Sequence, residues 1–245
     1  MSVLLLLLAA AGIAYVAATW RCRRPWPLAR TAAWLAGVAA AAVAVAGPLG
    51  AHGDLHAHMA GHLLIGMAAP LLLVLAAPVT LALRALPVPA GRRVSRLLRA
   101  APLRWLADPL VAVPLHAAGL WLLYGTGLHT AAGHSPGWSA LVSAHLLLSG
   151  YLATASVLAV DPAPHRRGVG VRALALAGGA AAHDVLAKVL YAHPPAGVTG
   201  AEEGARLVYD GGTVVTLLTA AVLWRRWYVS REAVRAAAQP AAVAA

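Results

Sequence analysis

The chain has 245 residues, 61% of them hydrophobic and only 11% charged. That composition excludes an ordinary soluble domain and points to a polytopic membrane protein. The formal net charge of +11 is accounted for by the placement of arginines beside membrane spans and by contact with anionic lipid, without nucleic acid.

Seven stretches can cross a hydrocarbon core of about 30 Å, which takes about 20 helical residues. They cover residues 3–20, 29–48, 58–86, 109–124, 138–160, 173–192 and 208–228, the fourth being the shortest. The expected fold is therefore an all-α membrane bundle, one seven-helix domain over residues 1–235, with an alanine-rich tail at 236–245 that frays. The first run lacks a leading positive region and is expected to be an uncleaved span, not a signal peptide. Small residues such as Gly61, Gly66, Gly178 and Gly179 allow close helix packing. A homo-oligomer is compatible with the sequence.

Basic residues follow alternate spans. Arg21, Arg23, Arg24 and Arg30 come after the first; Arg84, Arg92, Arg93, Arg96, Arg99 and Arg104 after the third; Arg166, Arg167 and Arg172 after the fifth; Arg225, Arg226, Arg231 and Arg235 after the seventh. Because Lys and Arg in short loops stay cytoplasmic, the N-terminus is expected outside and the C-terminus inside. Residues 97–104 are expected to form a short interfacial helix, and 225–235 an amphipathic extension of the last span. The one cysteine, Cys22, then falls on the reducing side, so no disulfide framework is expected and an outer metal must use His, Met or carboxylate.

The third span opens with AHGDLHAHMAGHLLIGM, which gathers His52, His56, His58 and His62 with Met59 and Met67. On a helix His58 and His62 stand one turn apart, so both imidazoles project from one face and can reach one metal ion. A single histidine at a membrane boundary is ordinarily a headgroup-level residue; four in so short a stretch point to ligation. Pro70 and Pro78 are expected to kink this span and open a cavity below the histidines.

The remaining histidines are ranked by depth. His129 and His134, in an outer loop, fit solvated residues as well as ligands. His145 lies about 10 Å into the fifth span at 1.5 Å per residue and must face a partner or cavity, which makes it the favoured third ligand ahead of Met59 and His56. His183 sits beside Asp184, with Lys188 a turn on. An Asp184–Lys188 ion pair explains that trio at least as well as a proton path, and His183 stays among the candidate ligands. His116 is expected to be a hydrogen-bonded packing residue, and only His165 is cytoplasmic. The candidate metal set is His58, His62, His145, Met59, His56 and His183. Imidazole accepts zinc or copper and a thioether favours Cu(I), although Met also fills core gaps; copper is expected first and zinc second.

The run HMAGHLLIGMAAPLLLVLAAPVTLALRALP, from His58 to Pro87, resembles the third-span signature of the CtaG-type cytochrome c oxidase assembly factors. In that family HM-x-x-H opens the helix and an APxTLxLR-like run closes it, here Ala77, Pro78, Val79, Thr80 and Leu81 followed by Leu83 and Arg84. Seven spans, an outer loop with His129 and His134, and His145 in the fifth span are also similar. The resemblance implies a non-enzymatic factor in a bacterial plasma membrane that helps mature a haem–copper oxidase. It also implies oxidase subunits as partners and copper as cargo.

Two other classes are weighed. A seven-span zinc hydrolase would need three histidines, an open metal position and a nearby carboxylate or serine; Asp54, Asp184, Asp210 and Ser143 are available but stand in no hydrolase motif. A haem or quinone carrier would use His62, His145 and His183, but no binding pattern supports it.

Overall fold

The computed structural model describes residues 2–22, 24–47, 54–126, 128, 136–163, 166–194 and 199–238. His52, His129, His134, His165 and residues 239–245 lie outside them. Among the described residues every regular element is helical. Helix α1 (Ser2–Trp20) and α2 (Leu28–Ala46) are followed by α3 (Leu55–Leu63), which passes through a π-helical turn (Leu64–Ala68) into α4 (Ala69–Leu75). Next come α5 (Pro78–Ala85), α6 (Val88–Arg99), α7 (Ala101–Leu106), α8 (Pro109–Gly125), α9 (Pro136–Leu158), α10 (Val169–Ala192) and α11 (Ala201–Ala238).

Six rods are long and apolar enough to cross a membrane: α1, α2, the continuous α3–α4 rod, α9, α10 and α11. Helix α8 is apolar too but shorter, at 17 residues. This is a membrane protein. The final helix continues past the apolar stretch as expected, reaching Ala238.

The third span is shorter than the expected 58–86. It ends at Leu75, and Ala77 adopts left-handed backbone with φ 53° before Pro78 starts α5. A proline disfavours αR in the residue before it, so Pro78 terminates the span and does not merely kink it. Pro70 is accommodated inside the rod. It lacks an N–H and follows the π turn, in which the Ala69 N–H reaches back to the Leu64 carbonyl. The expected interfacial helix is also different: α6 and α7 are two helices broken at Ala100, whose backbone is extended just before Pro102.

Helix α5 is held by a distant carboxylate. Asp161 accepts from the Val79 N–H (3.2 Å), the Thr80 N–H (2.7 Å) and the Thr80 hydroxyl (2.6 Å). Those are free donors of a helix N-terminus, where a negative charge is favourable. Asp108 does the same for α8, accepting from the Leu110 N–H while pairing with Arg167 at 2.6 Å. Partial burial opposes ionisation of Asp108, but the Arg167 hydrogen bond, the Leu110 N–H and the Arg167 charge together hold its carboxyl below the ordinary value.

The α3–α4 rod packs against α11 and α9, α9 against α8, α8 against α10, and α10 against α11. These contacts close a ring of five rods, and α1 and α2 pack outside it along α4 and α5. The ring brings the basic clusters to one end. Arg30 and Arg84 both lie over the Trp26 ring, and Arg226 gives a hydrogen bond to the Ala159 carbonyl. Buried Arg172 gives hydrogen bonds to the Val157 and Leu158 carbonyls, so two guanidinium groups sit at the C-terminus of α9, where cations complement the helix dipole. At the opposite end the Leu55 N–H bonds to the Thr199 carbonyl, tying the start of α3 to the start of α11.

Candidate functional site

The start of α3 is set by Asp54, whose carboxylate accepts from the His56 N–H at 3.0 Å and the Ala57 N–H at 3.5 Å. This is an N-cap, so the carboxylate considered for a hydrolase serves the backbone instead. One turn further on, His58 and His62 face the same way, as their spacing requires, and both meet Tyr124 of α8. The Tyr124 hydroxyl and His58 Nε2 are hydrogen-bonded at 3.1 Å. The His62 ring stands edge-on to the same tyrosine, with centroids 5.4 Å apart.

His62 is 4% exposed and also meets His183 of α10, itself 7% exposed. The two rings have centroids 6.1 Å apart and planes within 13° of each other. Two glycines make this approach possible. Gly212 of α11 lies against the His183 ring, where a Cβ would collide with it, and Gly66 leaves van der Waals room beside His62. Trp121 sets the axial level, its indole N–H bonding to the Ala182 carbonyl, next to His183, at 3.1 Å. Electrostatically, His62 is surrounded by His183, His116 and His58.

Below the pair a cavity of about 90 Å³ opens inside the ring, walled in part by His183, His116, Met67, Thr216 and Thr219. The expected cavity under the histidines is thus present, bounded by Gly66 where the π turn passes. His116 Nδ1 and Ser149 Oγ are hydrogen-bonded at 2.9 Å, as expected of a packing residue, although His116 also faces the cavity.

The other candidates are distributed differently. Met59 is fully buried in the apolar core with Leu55, Leu123 and Leu190. His56 is exposed at the start of α3. His145 is exposed on α9, its Nε2 against Gly119 of α8, and its electrostatic contact is with His116. Lys188 lies over the Tyr209 ring with its ammonium 5.4 Å from the centroid, while the ion pairs among the described residues are Asp108–Arg167 and Arg206–Glu202. Among the described residues no three His, Cys, Asp or Glu side chains form a ready-made metal cluster.

The geometry therefore joins His58, His62 and His183 around Tyr124 and does not bring His145, His56 or Met59 to the same point. Tyr124 and Gly212 went unnoticed in the sequence. A tyrosine at a helix end reads as a boundary aromatic, and nothing local marks Gly212 as the neighbour of a histidine on another helix.

The sequence model of the cytochrome c oxidase caa3 assembly factor family matches residues 13–230. The chain belongs to this family. The match takes in every candidate ligand, the π turn and the Pro78 break. Among similar chains, uncharacterized protein Mb0105 of Mycobacterium bovis is 35% identical over 150 residues, 58% of this chain and 23% of that protein. Uncharacterized protein ML1998 of Mycobacterium leprae is 32% identical over 167 residues, 63% of this chain and 25% of that protein. The aligned region spans about a quarter of the length of these relatives. No solved structure matches the chain.

In this member of the family the Ala77–Leu81 signature has a structural meaning. It is the break and restart that turns the chain out of the third span, secured by Asp161.

Proposed function

We propose that this assembly factor binds copper at the histidine-bearing end of its ring and helps deliver it to a cytochrome c oxidase in a bacterial plasma membrane. Oxidase subunits are its partners and copper is its cargo. In this reading α8 is the seventh span, the N-terminus is outside, and the arginine-rich end of the bundle is cytoplasmic. The observation that carries the reading is the convergence of His58, His62 and His183 at the end of the bundle away from the arginines. Family membership supports the oxidase as the client. A carrier has to hold its ion and also release it, and a site of few imidazoles suits that better than a closed cage of four ligands.

Two experiments test this. Reporter fusions after Leu86 and after Gly200 are expected to report cytoplasm and exterior respectively; the reverse pattern would put the histidines on the wrong side. Deleting the protein is expected to leave oxidase subunits present but copper-poor and low in activity, with partial rescue by added copper through mass action. A fully metallated and fully active oxidase in the deletion strain, with no second assembly factor present, would refute the proposed role.

A further inference from the structure

We infer that His62 and His183 hold a single Cu(I) ion between them, two-coordinate and buried inside the helix ring. The inference rests on the copper role proposed above and gives it a site different from the adjacent pair His58 and His62 that sequence spacing suggests.

The first ground is a pair of unexplained polar atoms. His62 Nδ1 and His183 Nε2 are both buried and both lack a hydrogen-bond partner. Leaving a buried polar atom unsatisfied is destabilising, and a pair on neighbouring rings is a poor solution if packing alone were at stake. Buried polar groups that no partner satisfies mark places where a ligand, ion or water belongs.

The second ground is spacing. With metal–nitrogen bonds of about 2 Å, two imidazoles on opposite sides of one ion have ring centroids about 6 Å apart. The observed separation is 6.1 Å, with the two ring planes stacked within 13° of each other, which leaves a distance that one ion can bridge. The rings come from different rods, so the ion would bridge α3 and α10 at the level where the π turn begins. π turns are frequent at functional sites.

The third ground is charge and ligand number. Zinc sites take four ligands, or three with an open position, whereas no third His, Cys, Asp or Glu joins the pair among the described residues. Cu(I) accepts two nitrogen donors in a line. The desolvation cost of an ion rises with the square of its charge, so a monovalent ion is about four times less costly than a divalent one in a site with neutral ligands. On the inner side, Met67 and His116 line the cavity that adjoins His183. A thioether and an imidazole are the donors to which Cu(I) would pass next. The Tyr124–His58 hydrogen bond stands on the other side of His62, at the mouth.

The test uses the full-length protein, purified in detergent and kept anaerobic with a reductant. It is titrated with Cu(I) against a coloured Cu(I) chelator and examined by X-ray absorption. The expected result is one tightly held Cu(I) per chain with two nitrogen neighbours and no sulfur. His62→Ala and His183→Ala are each expected to weaken binding at least tenfold, while His145→Ala, on a side chain that stands exposed on α9, keeps wild-type affinity. Zn(II) is expected to compete poorly. Undiminished Cu(I) binding in folded His183→Ala, a sulfur or third-nitrogen neighbour in the wild-type spectrum, or equal affinity for Zn(II) would each overturn the site. The wild-type spectrum decides the matter even if the variants fail to fold. If copper binds elsewhere on the chain while the deletion strain is copper-poor, this site fails and the copper role survives. If copper binds at this pair but the deletion strain has a fully loaded oxidase, the role fails and the site survives.

Discussion

Gly150→Ala is expected to destabilise the bundle by about 3 kcal/mol, at the upper end of what overpacking costs. A Cβ at this position would overlap the carbonyl oxygen of Gly66 and crowd the Pro70 ring at 3.1 Å. Neither neighbour can swing aside, since one is backbone in the π turn and the other is a buried proline ring. The methyl would therefore push α9 away from the α3–α4 rod and widen the ring at the level of the cavity. Gly119→Ala is the control. Its Cβ would meet the His145 ring, which is exposed and can rotate, so a loss below about 1 kcal/mol is expected. Unfolding midpoints in detergent, compared between the two variants, give the measurement. Equal stability would show that the α9 approach is not limited by this contact.

Asp161→Ala is expected to cost about 2–4 kcal/mol, because one carboxylate serves three donors of α5 and hydrogen bonds to a charged group are worth about 1.5–3 kcal/mol each with incomplete additivity. Thr80→Val removes only the hydroxyl bond and should cost about 1 kcal/mol. The double variant should cost little more than Asp161→Ala alone, since both remove one shared interaction. Limited proteolysis between α4 and α6 would report the loosening of α5, and unfolding midpoints its magnitude. If the two losses add in full, Thr80 and Asp161 act independently and the anchoring described here is wrong.

Features set by local pattern were legible in the sequence. Apolar runs of membrane length gave the helices, because a span must be apolar over its own length whatever packs beside it. The arginine clusters predicted a basic end, and the structure gathers Arg30, Arg84, Arg172 and Arg226 near one another through Trp26 and the end of α9. His58 and His62 share a face because helical periodicity is a property of the chain itself. The resemblance to the CtaG-type factors rested on such a contiguous stretch and agrees with the family match.

What the tertiary structure decided depends on rotation and approach between helices, which depth along a span does not specify. His145 lies on α9, whose rotation turns it outward against Gly119. His183 is brought to His62 because α11 can close on α10 at Gly212, and the partner of His58 proved to be a tyrosine 66 residues away. Thr80 was visible in its motif, whereas its anchor Asp161 is 81 residues distant. Pro78 inside an apolar run predicts a kink, yet with Ala77 left-handed and α5 held by that carboxylate the chain turns and starts again. Sequence alone determined which segments are helical and which faces carry imidazole; only the closed ring determined which imidazoles meet, because that depends on where glycines let one backbone reach another.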